Sequence, residues 1–169
     1  MQAMAADVDA GLTGVLPGFT FADAYRVPGA VNGISARNAA TAIFETSPAW
    51  VSALMSTRNR MVGLFGLKAG RNDAFEAGQA HIGIFPVLAE SPEKILLGLD
   101  DHHLDFRIVV TVYAAEAKHR QVTVTTIVKT HNALGRVYLA AVMPFHRLIA
   151  RHMLDHAAKA WNASWPPKS

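Results

Sequence analysis

Extended apolar runs alternate with short polar turns through the middle of the chain, from His81 to His131. The runs are HIGIFPVLAE, KILLGLD, HLDFRIVVTVYAA and QVTVTTIVKTH, and they are separated by SPE, DDH and EAKHR. Runs of β-branched and aromatic residues that are divided by turn residues are typical of consecutive antiparallel strands. The pattern therefore predicts a four-stranded meander.

Alternation is clearest in the third run, where apolar and polar side chains take turns. Successive side chains of a strand point to opposite faces, so one face of this strand is apolar and the other is charged. The apolar set is Leu104, Phe106 and Ile108, and the polar set is His103, Asp105 and Arg107.

After Asn132, a residue type that commonly caps helices, the apolar period becomes helical. We expect one long closing helix from about Gly135 to Ala163, kinked or divided at Pro144. Its broad stripe consists of Leu134, Val137, Tyr138, Ala141, Val142, Phe145, Leu148, Ile149, His152, Met153 and His156.

The first part of the chain is less regular. Residues 1–16 are small and weakly patterned, which suggests a flexible lead, and Pro17-Gly18 marks a turn. The segment Thr20–Val27 has the bulky alternation of a strand. Two helices follow, one over Ala36–Thr46 with Ser35 as its cap and an amphipathic one from Pro48 to near Gly66.

This order of elements predicts an α+β domain of the helix-grip type. In that fold a curved antiparallel sheet wraps around a long C-terminal helix, and a cavity can remain between them. We expect a single domain over residues 17–165, with a short tail over residues 166–169. No internal repeat or second domain boundary is visible.

Composition sharpens this picture. The 169 residues are 51% apolar and only 17% charged, so either the core is large or apolar surface lines a cavity or a homodimer interface. The net charge is +3, but Lys and Arg are scattered, which argues against a nucleic-acid partner. The absence of cysteine excludes disulfides and thiolate metal sites.

Targeting signals are not evident in the sequence. The N-terminus lacks the basic and apolar regions of a secretory signal, and no uncharged stretch of about 20 apolar residues could span a membrane. We therefore expect a cytoplasmic location and no membrane span.

Several motifs resemble those of DUF2867, a bacterial domain family of unknown function. The similar stretches are PAWVSALMSTRNRMVGLFGLK, GIFPVLAESPEKILLGLDDHHLDFRIVV and HNALGRVYLAAVMPFHRLIARHML. Together they cover nearly all of the chain from Pro17 onward. The resemblance implies a fold like that of the START and birch-pollen-allergen superfamily (SRPBCC). Members of that superfamily bind lipids, sterols or polyketides, and some catalyse cyclisation or hydrolysis.

The densest polar cluster follows the second run of the meander. Its carboxylates and imidazoles could bind a metal or orient a general base, but a polar hairpin turn with a surface ion pair explains them more simply, so we predict no metal site. Asp105 and Arg107 are better candidates, because a guanidinium on the concave face of the sheet could hold a substrate carboxylate or phenolate. The cluster consists of Asp100, Asp101, His102, His103, Asp105 and Arg107.

The closing helix offers a second set of candidates. His146 follows Pro144 and Phe145, while His152 and His156 have zinc-site spacing but lack the glutamate of an HExxH motif. The apolar stripe is most simply core, but in a helix-grip fold it would also form a pocket wall. The residues expected to line such a pocket are Phe85, Phe106, Tyr138, Val142, Phe145 and Ile149.

Three hypotheses of function remain open. The first is a module that binds a small apolar or aromatic molecule between the sheet and the helix. The second is an acid-base enzyme, a cyclase, isomerase or hydrolase, in which Asp105, His103 or His146 acts together with Arg107. The third is a dimerising interaction domain. No Gly-rich dinucleotide fingerprint is present, so we expect no cofactor.

Overall fold

The computed structural model describes residues 2–30, 33–45, 78–116 and 119–163. Within these ranges seven strands form an antiparallel sheet in the order β1-β2-β7-β6-β5-β4-β3. The strands are β1 (Met4–Ala6), β2 (Phe21–Ala30), β3 (His81–Ile82), β4 (Phe85–Glu90), β5 (Lys94–Asp100), β6 (Leu104–Glu116) and β7 (His119–Thr130).

Two α-helices of the described residues accompany the sheet, α1 (Ala36–Phe44) and the long α2 (Ala133–Ala163), with a 3₁₀ helix over Ala10–Val15. The long helix packs against the sheet, which confirms the α+β prediction and is consistent with a helix-grip fold. The predicted second helix, from Pro48 to Gly66, and the tail lie outside the described residues.

The predicted meander is present as consecutive hairpins, and its first run is divided in two. Gly83 separates β3 from β4 with φ of 58°, a left-handed conformation that glycine adopts without strain. A side chain there would also meet the carbonyl oxygen of Phe44, 3.2 Å from an added Cβ. The tight turn therefore allows β3 and β4 to pair beside α1.

The two faces of the sheet pack against different elements. The inner face carries Tyr25, Ile108 and Val124 and packs against α1 and α2 in the main core. The outer face carries Val109 and Ile127, which pack against the 3₁₀ helix in a smaller second cluster. Because the β6 and β7 register is unbroken from Leu104 to Ala114, odd-numbered β6 residues there point outward.

The N-terminal residues, predicted as a flexible lead, contain regular structure instead. Leu12 and Leu16 of the 3₁₀ region are buried against the outer face, and Met4 to Ala6 pair with β2 at the sheet edge. The backbone N–H of Ala3 donates to the carboxylate of Asp155 on α2. These long-range contacts order a segment whose own sequence pattern is weak.

The closing helix begins at its predicted cap. Asn132 Oδ1 accepts a hydrogen bond from the Gly135 N–H at 2.9 Å, and the helix continues through Pro144 to Ala163. Its C-terminal part is anchored in the core by Leu154 and Trp161. By contrast, Phe145 is 56% exposed. The predicted stripe is therefore divided between buried and exposed positions, and the predicted dimer stays a prediction.

Among the helices of the described ranges, none combines the length and apolar character needed to cross a membrane.

Candidate functional site

An open groove lies between the N-terminal edge of the sheet and the middle of α2. Its volume is about 910 Å³, within the range of roughly 300–1,000 Å³ typical of small-molecule sites. β1, β2 and α2 provide its walls, and the hydrogen bond from Ala3 to Asp155 links the first and last of these elements. The side chains that matter most for chemistry are Asp23, Tyr25, Arg147, Leu148 and Arg151.

Asp23 reaches the groove because β2 alternates regularly. Phe21, Asp23, Tyr25 and Val27 share one face, and Tyr25 and Val27 pack in the main core. Asp23 is thus a carboxylate on an otherwise bulky, core-facing side of the strand. Its side chain is only 16% exposed.

His146 on α2 holds one oxygen of this carboxylate. Its Nε2 lies 3.1 Å from Asp23 Oδ1, and the edge of the Phe21 ring packs against the imidazole with a centroid distance of 6.2 Å. Asp23 Oδ2 is buried, and no hydrogen-bond partner for it occurs among the described residues. A residue that lines the groove therefore carries a buried acceptor that is held in place but has no partner in the described part of the chain.

Tyr25 lies two positions further along the same strand face. Burial of the side chain raises the pKa of the Tyr25 phenol, and the negative charge of Asp23 and hydrogen bonding with its carboxylate raise it further. The positive charges of Arg147 and Arg151 act in the opposite direction. Neither arginine forms an ion pair or hydrogen bond with the residues that the structure describes. We call Asp23, Tyr25, His146, Arg147 and Arg151 the groove cluster.

The polar residues favoured by sequence lie elsewhere, at the end of the β5–β6 hairpin. The Arg107 guanidinium donates to Asp100 Oδ1 at 2.6 Å and to the Phe106 carbonyl at 2.9 Å. Asp105 Oδ2 lies 2.9 Å from His131 Nε2, and its Oδ1 accepts from the Asp101 N–H at 3.2 Å. As odd-numbered residues of β6, Asp105 and Arg107 point to the outer face of the sheet, away from α2. Both oxygens of Asp105 and the Nη1 group of Arg107 have partners there.

His103 completes this hairpin end by joining it to the start of α2. Its Nδ1 lies 2.9 Å from Asn132 Nδ2, and its carbonyl oxygen accepts from the His131 N–H at 2.9 Å. Gly135 allows the close approach, because an added Cβ would lie 2.1 Å from the His103 carbonyl oxygen. We call Asp100, His103, Asp105, Arg107, His131 and Asn132 the hairpin cluster.

The four predicted catalytic residues are thus not brought together. His103, Asp105 and Arg107 meet at the hairpin end, whereas His146 lies on the inner side of the sheet with Asp23. Within the described residues, no group of three His, Cys, Asp or Glu side chains is placed to hold a metal ion.

The predicted pocket wall is also distributed differently. Phe85 packs edge-on against Phe106 at 5.8 Å and against Phe44 at 5.3 Å, forming an aromatic cluster beside α1. Tyr138, Val142 and Ile149 are half-buried, while Phe145 is exposed. None of the six predicted wall residues is among those that line the groove.

Sequence alone did not identify Asp23, Tyr25, Arg147 or Arg151 as candidate site residues. A signal was present for Asp23, since a carboxylate alternating with Phe21, Tyr25 and Val27 is unusual on a core-facing strand. Arg147 and Arg151 carry no comparable signal, because their four-residue spacing on a helix is as typical of a solvated basic face as of groove lining.

Comparison with known proteins adds a family assignment. No curated protein and no solved structure shows a significant match to the chain. The family model described as "Protein of unknown function (DUF2867)" matches residues 15–153, a range that includes Asp23, both arginines and the hairpin cluster. The chain therefore belongs to the DUF2867 family.

Proposed function

We propose that this domain binds a small organic molecule, with an apolar or aromatic body, in the groove between β1, β2 and α2. The observation that carries the proposal is that Asp23 lines a groove of about 910 Å³ while its buried Oδ2 has no hydrogen-bond partner among the described residues. Leaving such an acceptor without a partner costs about 1–3 kcal/mol. A ligand that donates a hydrogen bond to Asp23 would remove that cost.

The surroundings of Asp23 support the same function. Leu148 and the ring of Tyr25 supply apolar surface, and the two arginines supply charge for which the described residues offer no ion-pair partner. Sites for small molecules combine apolar walls with a few convergent polar groups in this way. The resemblance to the START and birch-pollen-allergen superfamily favours a ligand-binding role as well.

The test is a nuclear magnetic resonance (NMR) screen of the full chain against mixed small organic molecules, with assigned backbone amides. We expect binders to shift amides of β1, β2 and residues 147–155. Leu148→Trp, which places a bulky side chain in the groove, should abolish those shifts. Phe145→Trp is the matched control, because Phe145 is exposed on the same helix but does not line the groove.

Two results would contradict the proposal. One is a screen in which no molecule shifts the groove amides. The other is binding that persists unchanged in Leu148→Trp.

A second candidate, acid-base catalysis on the bound molecule, is favoured by the contact between Asp23 and His146. In this scheme Asp23 is the base and His146 is a positioning residue that fixes the carboxylate. Mass spectrometry of molecules found in the screen, after incubation with the protein, would detect conversion. Asp23→Asn should prevent conversion while leaving binding measurable, and a converted product in that variant would exclude Asp23 as the base.

A further inference from the structure

The groove cluster restricts the chemistry of the ligand at three positions. The first is Asp23, whose Oδ1 contacts His146 while Oδ2 is buried without a partner in the described part of the chain. A carboxylate only accepts hydrogen bonds. A ligand group that binds the Asp23 carboxylate must therefore be a donor, such as a hydroxyl or an N–H.

The second position is formed by Arg147 and Arg151 on the opposite wall. These residues are four positions apart, so they lie one above the other on the same side of α2. Both line the groove, and the described residues offer neither an ion-pair partner. A guanidinium binds a carboxylate or phosphate through two parallel hydrogen bonds, so an acidic ligand group fits this wall.

The other acids near the groove leave these arginines available. Asp155 accepts the backbone N–H of Ala3, and Asp7 is exposed beyond the end of β1. The field of both arginines reaches the opposite wall, where it lowers the pKa of the Tyr25 phenol against the larger effects of burial and Asp23. The positive charge of the two arginines therefore extends across the groove as far as Tyr25.

The third position is the apolar surface between these polar ends. Leu148 is 64% exposed and lines the groove next to Arg147 in sequence. Leu148 therefore offers apolar surface to a ligand bound beside the arginines. A ring or short hydrocarbon that joins the acid to the donor would cover it.

We propose that the ligand is a small organic acid with a hydrogen-bond donor at its far end, the acid bound by Arg147 and Arg151 and the donor by Asp23. This inference rests on the proposed binding function. It goes further by assigning a polarity to the groove, with the anion on the helix side and the donor on the strand side.

The experiment uses three aromatic probes that differ in one group each. They are para-hydroxyphenylacetate, its amide, which lacks the charge, and phenylacetate, which lacks the hydroxyl. Dissociation constants come from NMR titration of the full chain, followed at the groove amides. We expect the hydroxy acid to bind about tenfold or more tightly than either analogue, because each analogue leaves a charged group without its partner.

Variants assign the two ends separately. Arg151→Gln should remove the preference for the acid over the amide, and Asp23→Ala should remove the preference for the hydroxy acid over phenylacetate. Arg136→Gln is the control, since Arg136 is an exposed arginine of the same helix outside the groove. It should preserve both preferences.

The outcomes separate the two proposals. If all three probes shift the groove amides with equal affinity, binding in the groove stands and the acid-and-donor chemistry is overturned. If none of the probes shifts those amides, this ligand class is overturned, and the wider screen with Leu148→Trp decides the binding function by itself. Preferences that survive Arg151→Gln and Asp23→Ala would also overturn the assignment.

Discussion

The hairpin cluster and the groove cluster contain the same residue types, carboxylate, histidine and arginine, on opposite faces of one sheet. In the hairpin cluster Arg107 donates to Asp100 and to backbone carbonyls, and both oxygens of Asp105 have partners. In the groove cluster Asp23 has one satisfied oxygen, and the nearby arginines have no ion pair within the described residues.

The difference separates polar groups that stabilise a fold from polar groups that are available to a ligand. A complete set of partners recovers the cost of burying charge, and an incomplete set does not. Titratable residue types alone therefore do not identify a site. Their unsatisfied hydrogen-bonding capacity, next to open volume, is the better indicator.

The largest loss of stability should come from filling the space between Gly135 and the His103 carbonyl, where the hairpin cluster contacts the start of α2. In Gly135→Ala the new Cβ would lie 2.1 Å from the His103 carbonyl oxygen, and a backbone atom cannot rotate away as a side chain can. We expect the free energy of unfolding to fall by about 3 kcal/mol, despite the better helix propensity of alanine. Urea denaturation followed by circular dichroism measures it.

Gly14→Ala is the matched control for that substitution. Gly14 lies in the 3₁₀ helix, and an added Cβ there would meet no atom within 4 Å. Its stability should stay close to that of the parent protein. Equal losses in the two variants would show that the contact with His103 does not determine the result.

The next largest effect on stability is expected from alanine substitution of Asp105, with the same substitution of Asp23 as the comparison. Asp105→Ala should cost about 1–3 kcal/mol, because the Asp101 N–H and His131 lose their partner in a half-buried setting. Asp23→Ala should cost less than about 1 kcal/mol, since losing the contacts with His146 and Tyr25 is offset by removing a buried acceptor oxygen that has no partner among the described residues.

Ligand binding should be affected more by the substitution of Asp23 than by that of Asp105, the reverse of the order for stability. Asp23→Ala should abolish discrimination between the hydroxy acid and phenylacetate, and Asp105→Ala should leave it unchanged. Urea denaturation and the same NMR titrations measure both quantities. A larger stability loss at Asp23 than at Asp105 would contradict the assignment of structural and ligand-binding roles.

Much of the fold follows from local sequence, because its determinants are close together in the chain. Ser35 Oγ accepts the Asn38 N–H and Asn132 Oδ1 accepts the Gly135 N–H, each three positions away. The meander likewise depends on alternation within each run and on short turns. These features were predictable from residue types and spacing.

The candidate site depends on contacts that no local pattern contains. Asp23 and His146 are 123 positions apart, and β1 is ordered by pairing with β2 and by the contact between Ala3 and Asp155. The alternation that placed Asp105 and Arg107 on one face of β6 was correct, but it could not decide which face meets α2. A sheet face is identified as inner only when the helix is in place.

A smaller effect should be visible in the titration of Tyr25. Asp23→Asn removes the negative charge and should lower the pKa of the Tyr25 phenol toward its ordinary value, whereas Arg147→Gln and Arg151→Gln should raise it further. Tyrosinate absorbance in an alkaline titration, with Tyr25→Phe as the subtraction, measures these shifts. If the Tyr25 pKa instead rose in Asp23→Asn, or fell in the arginine variants, Tyr25 would not be coupled electrostatically to the rest of the groove cluster.

The raised pKa of Tyr25 also determines how the stability of the fold changes with pH in the alkaline range. Because folding raises the pKa of Tyr25, the neutral phenol stabilises the folded state fully below its ordinary pKa of about 10. That contribution is lost as the pH rises through the higher folded-state pKa. Asp23→Asn should make the loss smaller, and denaturant midpoints across this pH range measure it.

The smallest effect on stability is expected at the ion pair between Arg37 and Glu90, which lies outside both clusters. This pair shows how much hydrogen-bond partners contribute when burial is low. Arg37 Nε donates to Glu90 Oε1 at 2.7 Å, and a second guanidinium nitrogen contacts Oε2, so the carboxylate is as fully partnered as Asp105. The two side chains are nevertheless 40% and 36% exposed, so water and salt screen their interaction.

Hydrogen bonding from Arg37 lowers the pKa of the Glu90 carboxyl, so its contribution is present above the ordinary value and is lost as the pH falls through the folded-state value. Arg37→Gln should return that pKa toward its ordinary range in an NMR acid titration. The accompanying change in neutral-pH stability should be smaller than that of Asp105→Ala and should shrink at high salt. A loss as large as that at Asp105 would mean that partners alone, without burial, explain the stabilising role of the hairpin cluster.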